Sequence, residues 1–365
     1  PTQAWEAQSQ EGVALGYGVS FVLLAGAPPR EAVIAYTEPQ APYAEMLTRG
    51  LRIVAIDGVD FVNDPSQAGV DVLNAGLFPV AAGEQHVFRL RRNDEPPFDV
   101  MLTAQAITQT PVPTARVLDT VNGRVGYLLF NDHIATAEGP LIAAMTQFRD
   151  ARIDDLVLDL RYNGGGFLDL ASELAFMIAG GARTAALPFE QLQFSDRNVR
   201  GTVETVTPFY ATALGFDPKV TSGAPLPSLD LPRVFVLSSG GTCSASESII
   251  NGLRGVDVEV IQVGETTCGK PYGFYPTDNC GLTYFATEFA GVNAKSFGDY
   301  ADGFVASCAA VDDYEHALGD PAETMLATAL QLQAGGACAA LAKRASGQDA
   351  KLLRSPLREI GYRRS

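Results

Sequence analysis

Charge is scarce in this chain. Asp, Glu, Lys and Arg make up 19% of its 365 residues against an apolar share of 47%, the reverse of the balance that keeps a chain disordered. Histidine is scarcer still, with three residues at 86, 133 and 316. None is placed for a Ser-His-Asp arrangement, and His133, in Phe130-Asn131-Asp132-His133, is expected as a loop residue. No C-x-x-C pair occurs, so the sequence offers no zinc site and no metal ligand set. No apolar run approaches the roughly 18 residues of a membrane helix. No signal peptide is visible either, and the opening Pro1 suggests a trimmed or mature fragment. Basic residues are outnumbered 42 to 26, for a net charge of −16, a field that repels phosphate backbones and argues against nucleic acid as a partner. Neither G-x-G-x-x-G nor a Walker loop is present, so no nucleotide cofactor is expected.

Cysteine occurs five times, at 243, 268, 280, 308 and 338. The last four could form up to two bridges in three connectivities, leaving Cys243 free. Five reduced, buried thiols are the competing expectation, and the count alone leaves the compartment open.

A length of 365 residues suggests two or three domains. Residues 13 to about 105 form a small β-rich pattern. Gly16-Tyr17-Gly18-Val19 leads into a strand, Ala32–Tyr36 is a second strand, and Pro42–Leu47 a short amphipathic helix. Leu51–Ile56 ends in an Asp57-Gly58 turn, and Val87–Arg91 and Phe98–Leu102 alternate as a hairpin does. A Thr/Pro-rich linker, Thr108–Thr114, follows. Beyond it strands and helices alternate: strands at Gly126–Phe130, Asp155–Leu160, Val234–Leu237 and Val258–Val263, with helices from Ala137, from Leu168 and through Ile249, Ile250 and Leu253. That order predicts βαβ units and a mainly parallel sheet. The last twenty residues carry five basic side chains against two acidic ones, expected as a solvated tail or docking arm.

Three loops fall at the carboxyl ends of parallel strands, where open α/β sheets place their sites. In Asp159-Leu160-Arg161-Tyr162-Asn163-Gly164-Gly165-Gly166, a glycine run turns amides toward one point, able to hold an oxyanion or to serve only as a flexible turn. In Gly240-Gly241-Thr242-Cys243-Ser244-Ala245-Ser246-Glu247, Ser244-x-x-Glu247 is a capping box before an apolar helix. The same placement puts the Ser244 hydroxyl at a helix start that favours an oxyanion. In Gly264-Glu265-Thr266-Thr267-Cys268-Gly269-Lys270-Pro271, Lys270 lies among small residues after a buried strand. To act as a base its pKa must drop from about 10.4 to about 7–8, which burial can supply.

Taken in order, these motifs resemble the carboxy-terminal processing (tail-specific) serine proteases: D-L-R-Y-N-G-G-G at 159–166, S-A-S-E at 244–247 and V-G-E-T-T-C-G-K at 263–270, behind a PDZ-like unit. The resemblance implies an α/β fold with a ClpP/crotonase-like core, a mainly parallel sheet, and a small β-rich PDZ-like domain before it. It divides the chain into 1–105 (PDZ-like, with a short lead-in), 106–345 (protease core) and 346–365 (basic tail). It implies Ser244 as nucleophile, Lys270 as its general base, and an oxyanion hole from the amides of Gly165 and Ala245. Gly16, Tyr17, Gly18 and Val19 become the candidates for holding a peptide terminus while the peptide joins the sheet edge. Protein or peptide is the implied substrate, no cofactor is needed, and the bacterial exported branch implies a periplasmic or lipid-anchored location.

Several departures stand out. Relatives often carry a glutamine four residues after the lysine, where this chain has Phe274. One extra residue separates the serine and lysine motifs, Cys243 adjoins the nucleophile, and the helical segment that often precedes the PDZ domain is missing. The competing functions are a non-catalytic peptide- or small-ligand-binding protein on the same fold, and an acyl-thioester enzyme of the crotonase type. The latter needs a basic patch for cofactor phosphates that the three loops do not offer. A Cys243 thiol nucleophile would not need the lysine motif.

Overall fold

Residues 2–196, 205–338 and 350–354 are described by the structure, a computed structural model. Apolar runs bounded by Gly, Asp and Ser build its central sheet. Six strands lie in the order Cys308–Ala309, Glu259–Gly264, Arg233–Ser238, Asp155–Asp159, Gly123–Leu129 and Thr114–Thr120. The first five run parallel, and only Thr114–Thr120 pairs antiparallel to its neighbour. Alternation along each strand feeds two cores. Leu156, Leu158, Val234 and Val236 face helices Glu138–Ala151, Leu168–Ala179 and Ala245–Gly255. Val157, Phe235, Leu237 and Val263 face helix Thr324–Gln333 through Met325, Leu326 and Ala329. Asp155–Asp159 is consequently buried along its whole length, as a strand covered on both faces must be. The α/β class with a mainly parallel sheet is therefore what the structure shows.

A second sheet gathers the N-terminal β-rich segment: Val19–Ala25, Glu31–Thr37, Arg52–Ile56, Gln85–Arg91 and Phe98–Thr103 in that order, all antiparallel. Its core of Phe21, Ile34, Ile53, Ile56, Phe88 and Leu90 forms a separate cluster. The Asp57-Gly58 turn takes positive φ at both residues (50° and 80°), the geometry a two-residue hairpin requires.

The structure corrects several expectations. Pro42–Leu47 makes turns rather than a helix, because Leu47 is drawn into the core and the chain must reverse toward Arg52–Ile56. The lead-in contains a helix, Thr2–Glu11, so a helical segment does precede the β-rich unit. Trp5 on that helix packs on Phe285 with ring centroids 5.4 Å apart. Helices Gln67–Leu77 and Thr324–Gln333 were not anticipated. The basic C-terminal segment is not simply solvated, since Lys351–Leu352 adds a strand to the free edge of Val19–Ala25. The rest of that segment, 346–349 and 355–365, lies outside the described residues. Cys243 is not free either: the bridges are Cys243–Cys268 and Cys308–Cys338, and Cys280 is an exposed thiol.

Candidate active site

Three adjacent parallel strands, Asp155–Asp159, Arg233–Ser238 and Glu259–Gly264, end level with one another, with Asp159 beside Leu237 and Ser238 beside Gly264. Their following loops therefore meet. The first is anchored by a buried ion cluster. Arg161, fully enclosed, donates to Asp159 through Nε (2.9 Å) and Nη2 (2.8 Å) and to Glu323 through Nη1 (2.8 Å). Asp159 also accepts from the Tyr127 hydroxyl at 2.7 Å. A charge so buried is tolerable only because it is paired on every side.

The second loop delivers Ser244 at the N-cap of helix Ala245–Gly255 with φ 57° and ψ −119°. A non-glycine residue held there costs on the order of 1–3 kcal/mol, and such strain clusters at functional turns between a strand and a helix. The loop is tied to the first by Cys243 N–H donating to Asn163 O (3.2 Å) and the Thr242 hydroxyl donating to Leu160 O (2.8 Å). Gly165 lies directly against it. A Cβ on Gly165 would stand 2.7 Å from Cys243 O, 2.8 Å from Ser244 Cβ and 2.9 Å from Ala245 N. The loops thus bring Gly165, Ser244 and Ala245 together.

The third loop is joined to the second by the carboxylate of Glu247. Its Oε2 accepts from Ser244 N (2.9 Å) and Lys270 N (2.8 Å), and its Oε1 from the Thr267 hydroxyl (2.6 Å) and Gly269 N (2.8 Å). The Cys243–Cys268 bridge links the same two loops covalently. Cys243, Cys268 and Glu247 have the spacing of a metal ligand set, but the two sulfurs are spent on each other.

Lys270 is mostly enclosed, and burial pushes its amine down to about 8, with the Glu247 carboxylate pulling weakly the other way. Its Nζ lies 4.7 Å from the centre of the Phe274 ring. Phe274 meets Phe285 edge-on at 5.1 Å, and Phe285 meets Trp5. The position where relatives often have glutamine therefore supplies an apolar wall, which lowers the cost of the neutral amine. Burial therefore favours the unprotonated amine of Lys270.

The glycine run differs from expectation in one bond. Gly165 N–H donates to Asn163 Oδ1 at 3.0 Å, so the amide assigned to the oxyanion is engaged here. His133 lies in the loop after Gly123–Leu129, as expected. It is buried, with Nδ1 2.9 Å from the same Asn163 oxygen, and burial pushes it down to about 4, which keeps the ring neutral. His133 and the Gly165 amide thus meet at the Asn163 side chain, a contact that sequence reasoning missed. Asn163 was visible inside the glycine motif, whereas nothing local marked His133.

Gly16 ends strand Val13–Gly16, which pairs with Gln105–Thr108, Val19 opens strand Val19–Ala25, and Tyr17 between them packs into the core of the N-terminal unit. Tyr17 is buried there, its hydroxyl donating to Gly76 O at 2.8 Å. Gly18 takes φ +76° against Ala41, a place only glycine fits.

Comparison with known proteins agrees with this layout. Residues 124–274 match the model of peptidase family S41, a stretch that holds all three loops. A carboxyl-terminal-processing protease of Synechocystis sp. is 29% identical over 220 residues, 60% of this chain and 44% of that protein. A second, from Picosynechococcus sp., is 29% identical over 208 residues, 55% of this chain and 44% of that protein. The match thus spans less than half the length of these curated relatives. Among solved structures, one from Bacteroides fragilis described as an S41 protease candidate superposes with a TM-score of 0.67 at 24% identity, over 88% of this chain and 83% of its own. That likeness concerns the fold. The resemblance to carboxy-terminal processing proteases is borne out, and among the described residues no helix is long and apolar enough to cross a membrane.

Proposed function

We propose that this chain, whose residues 124–274 are S41 peptidase sequence, is a serine endopeptidase that uses Ser244 as nucleophile and Lys270 as general base. The observation that carries the reading is Lys270, whose amine burial pushes down to about 8 and whose backbone N–H Glu247 ties to the loop that presents Ser244. Neutral Lys270 takes the Ser244 proton as Oγ attacks the peptide carbonyl, and the lysinium returns it to the leaving amine. Water then hydrolyses the acyl-enzyme by the same proton route. The tetrahedral oxyanion falls to the Ala245 amide at the helix start and to the glycine run. There the incoming oxygen competes with Asn163 for Gly165 N–H.

The substrate class is an unfolded or C-terminally exposed protein segment, with residues 1–105 as a PDZ-like recruiting unit, 106–345 as the protease core and 346–365 as a basic tail. The location that suits two disulfides is an oxidising one, the periplasm or cell envelope. A binding protein on the same fold is the second reading, favoured by the occupied Gly165 amide and by the Ser244–Glu247 capping box.

The test is digestion of an unfolded protein with an apolar C-terminus by the native chain, Ser244→Ala and Lys270→Ala. Cleavage by the native chain alone supports the dyad. Cleavage by Ser244→Ala sinks it, and no cleavage by any of the three moves the binding reading ahead.

A further inference from the structure

The free edge of Val19–Ala25 is where an extended peptide would add to the N-terminal sheet, and the chain itself already fills it. Lys351–Leu352 pairs antiparallel with that strand, Leu352 opposite Val22 and Lys351 opposite Leu23, and Leu353 N–H donates to Phe21 O at 2.7 Å. Successive side chains point to opposite sides, as in any strand. Leu352 packs with Val22, Val33, Tyr162 and Tyr314, while Leu353 packs on the core of the N-terminal unit. Arg354 then reaches the first active-site loop. Its Nη2 donates to Tyr162 O at 3.3 Å, and its guanidinium covers Gly164, where an added Cβ would strike it. The arm therefore occupies a strand-docking edge and covers the glycine beside Gly165 at the same time.

We propose that residues 350–354 are an in-cis occupant of this edge, displaced when an extended peptide segment pairs with Val19–Ala25, so that the C-terminal arm governs entry to the site. Two paired residues and one further backbone bond make a short strand, and short strands exchange more readily than long ones. Main-chain bonds supply the affinity in such docking, and the alternate pockets select the sequence. Here the pockets accept two consecutive aliphatic residues followed by a cation, so the preferred occupant is an apolar, C-terminally basic extended segment. Being on the same chain, the arm competes at a fixed effective concentration, and a free peptide must outbind it to enter. The control of cleavage rests on the peptidase reading, whereas the docking does not.

The probe is a fluorescent peptide with the sequence of residues 348–357. Its binding is measured by anisotropy on the Ser244→Ala chain at full length and ended at Gly347. The shortened chain is expected to bind at least about tenfold more tightly, and its active form to digest unfolded protein faster than the full chain. Equal binding by two folded forms overturns the proposal. In case the shortened chain does not fold, Val22→Cys with Leu352→Cys in a Cys280→Ser background ties the arm down at full length. Once oxidised, that variant should lose peptide binding and cleavage relative to each single cysteine variant. Unimpaired binding by the tied chain overturns the proposal. Peptide binding that follows these expectations while no form cleaves protein would remove the peptidase reading and leave the docking edge in place.

Discussion

The backbone amides of Ser244 and Lys270 donate to one and the same oxygen, Oε2 of Glu247, at 2.9 and 2.8 Å. A sequence capping box thereby becomes a bridge between two loops. The other oxygen holds Thr267 and Gly269, so one carboxylate sets the distance between the backbones of Ser244 and Lys270.

Glu247→Gln keeps the shape and turns one acceptor into a donor that faces N–H or O–H groups. A buried donor left without an acceptor costs roughly 1–3 kcal/mol, so the melting temperature should fall. The misplaced loops should lower kcat/KM on the order of 10²-fold. The pH profile separates this from simple destabilisation. Glu247 raises the Lys270 pKa, so losing its charge should move the acid limb below pH 8. An unmoved limb would mean that the carboxylate does not act on Lys270.

Lys270 must be neutral to accept a proton, and burial sets its pKa at about 8. Activity should therefore climb about tenfold per pH unit below that value and level off above it. Phe274→Ala removes the ring 4.7 Å from Nζ and lets water in, which favours the charged amine. The limb should then move up toward about 10.4. A rate flat from pH 6 to 9 in the native chain would exclude lysine as the titrating base.

How far the sequence could foretell this depends on where each cause lies. The parallel sheet was legible because Leu156–Leu158 and Val234–Leu237 are short, wholly apolar runs closed by Asp159 and Ser238, a pattern local to the chain. The three loops were legible for the same reason, each being a strand ending followed by glycine or serine. Tyr17 was assigned to peptide binding because its burial depends on Gly76, 59 residues away, whose carbonyl takes its hydroxyl. The Asn163–His133 contact and the Cys243–Cys268 pairing likewise join separate segments, and no spacing rule reaches across them. The two-residue strand Lys351–Leu352 is too short to show periodicity, and only the vacant edge it fills explains it.

The Cys243–Cys268 bridge closes 25 residues and Cys308–Cys338 closes 30. Chain entropy gives each about 3.5 kcal/mol of stabilisation. Replacing either pair by serine should therefore lower the melting temperature by a similar amount. Activity should separate them. Cys243→Ser/Cys268→Ser frees the residue before Ser244 and the one two before Lys270, and kcat should fall well beyond that of Cys308→Ser/Cys338→Ser. Equal kcat values in the two double variants would show that Glu247 alone holds the loops together.

Gly165→Ala tests the floor of the site. Gly165 has φ +90°, a region closed to side chains, and the new Cβ would press on Cys243 O, Ser244 Cβ and Ala245 N within 3 Å. The loop must withdraw from Ser244, which separates the glycine run from the Ala245 amide. Losing one oxyanion donor costs about 10²–10³ in rate, so kcat should fall at least that far. Peptide binding at the Val19–Ala25 edge, which does not use the Gly165 amide, should be unaffected in a chain ended at Gly347. A variant that kept its rate would move the oxyanion away from Gly165, because no arrangement of these loops accommodates the methyl group and preserves that amide's position.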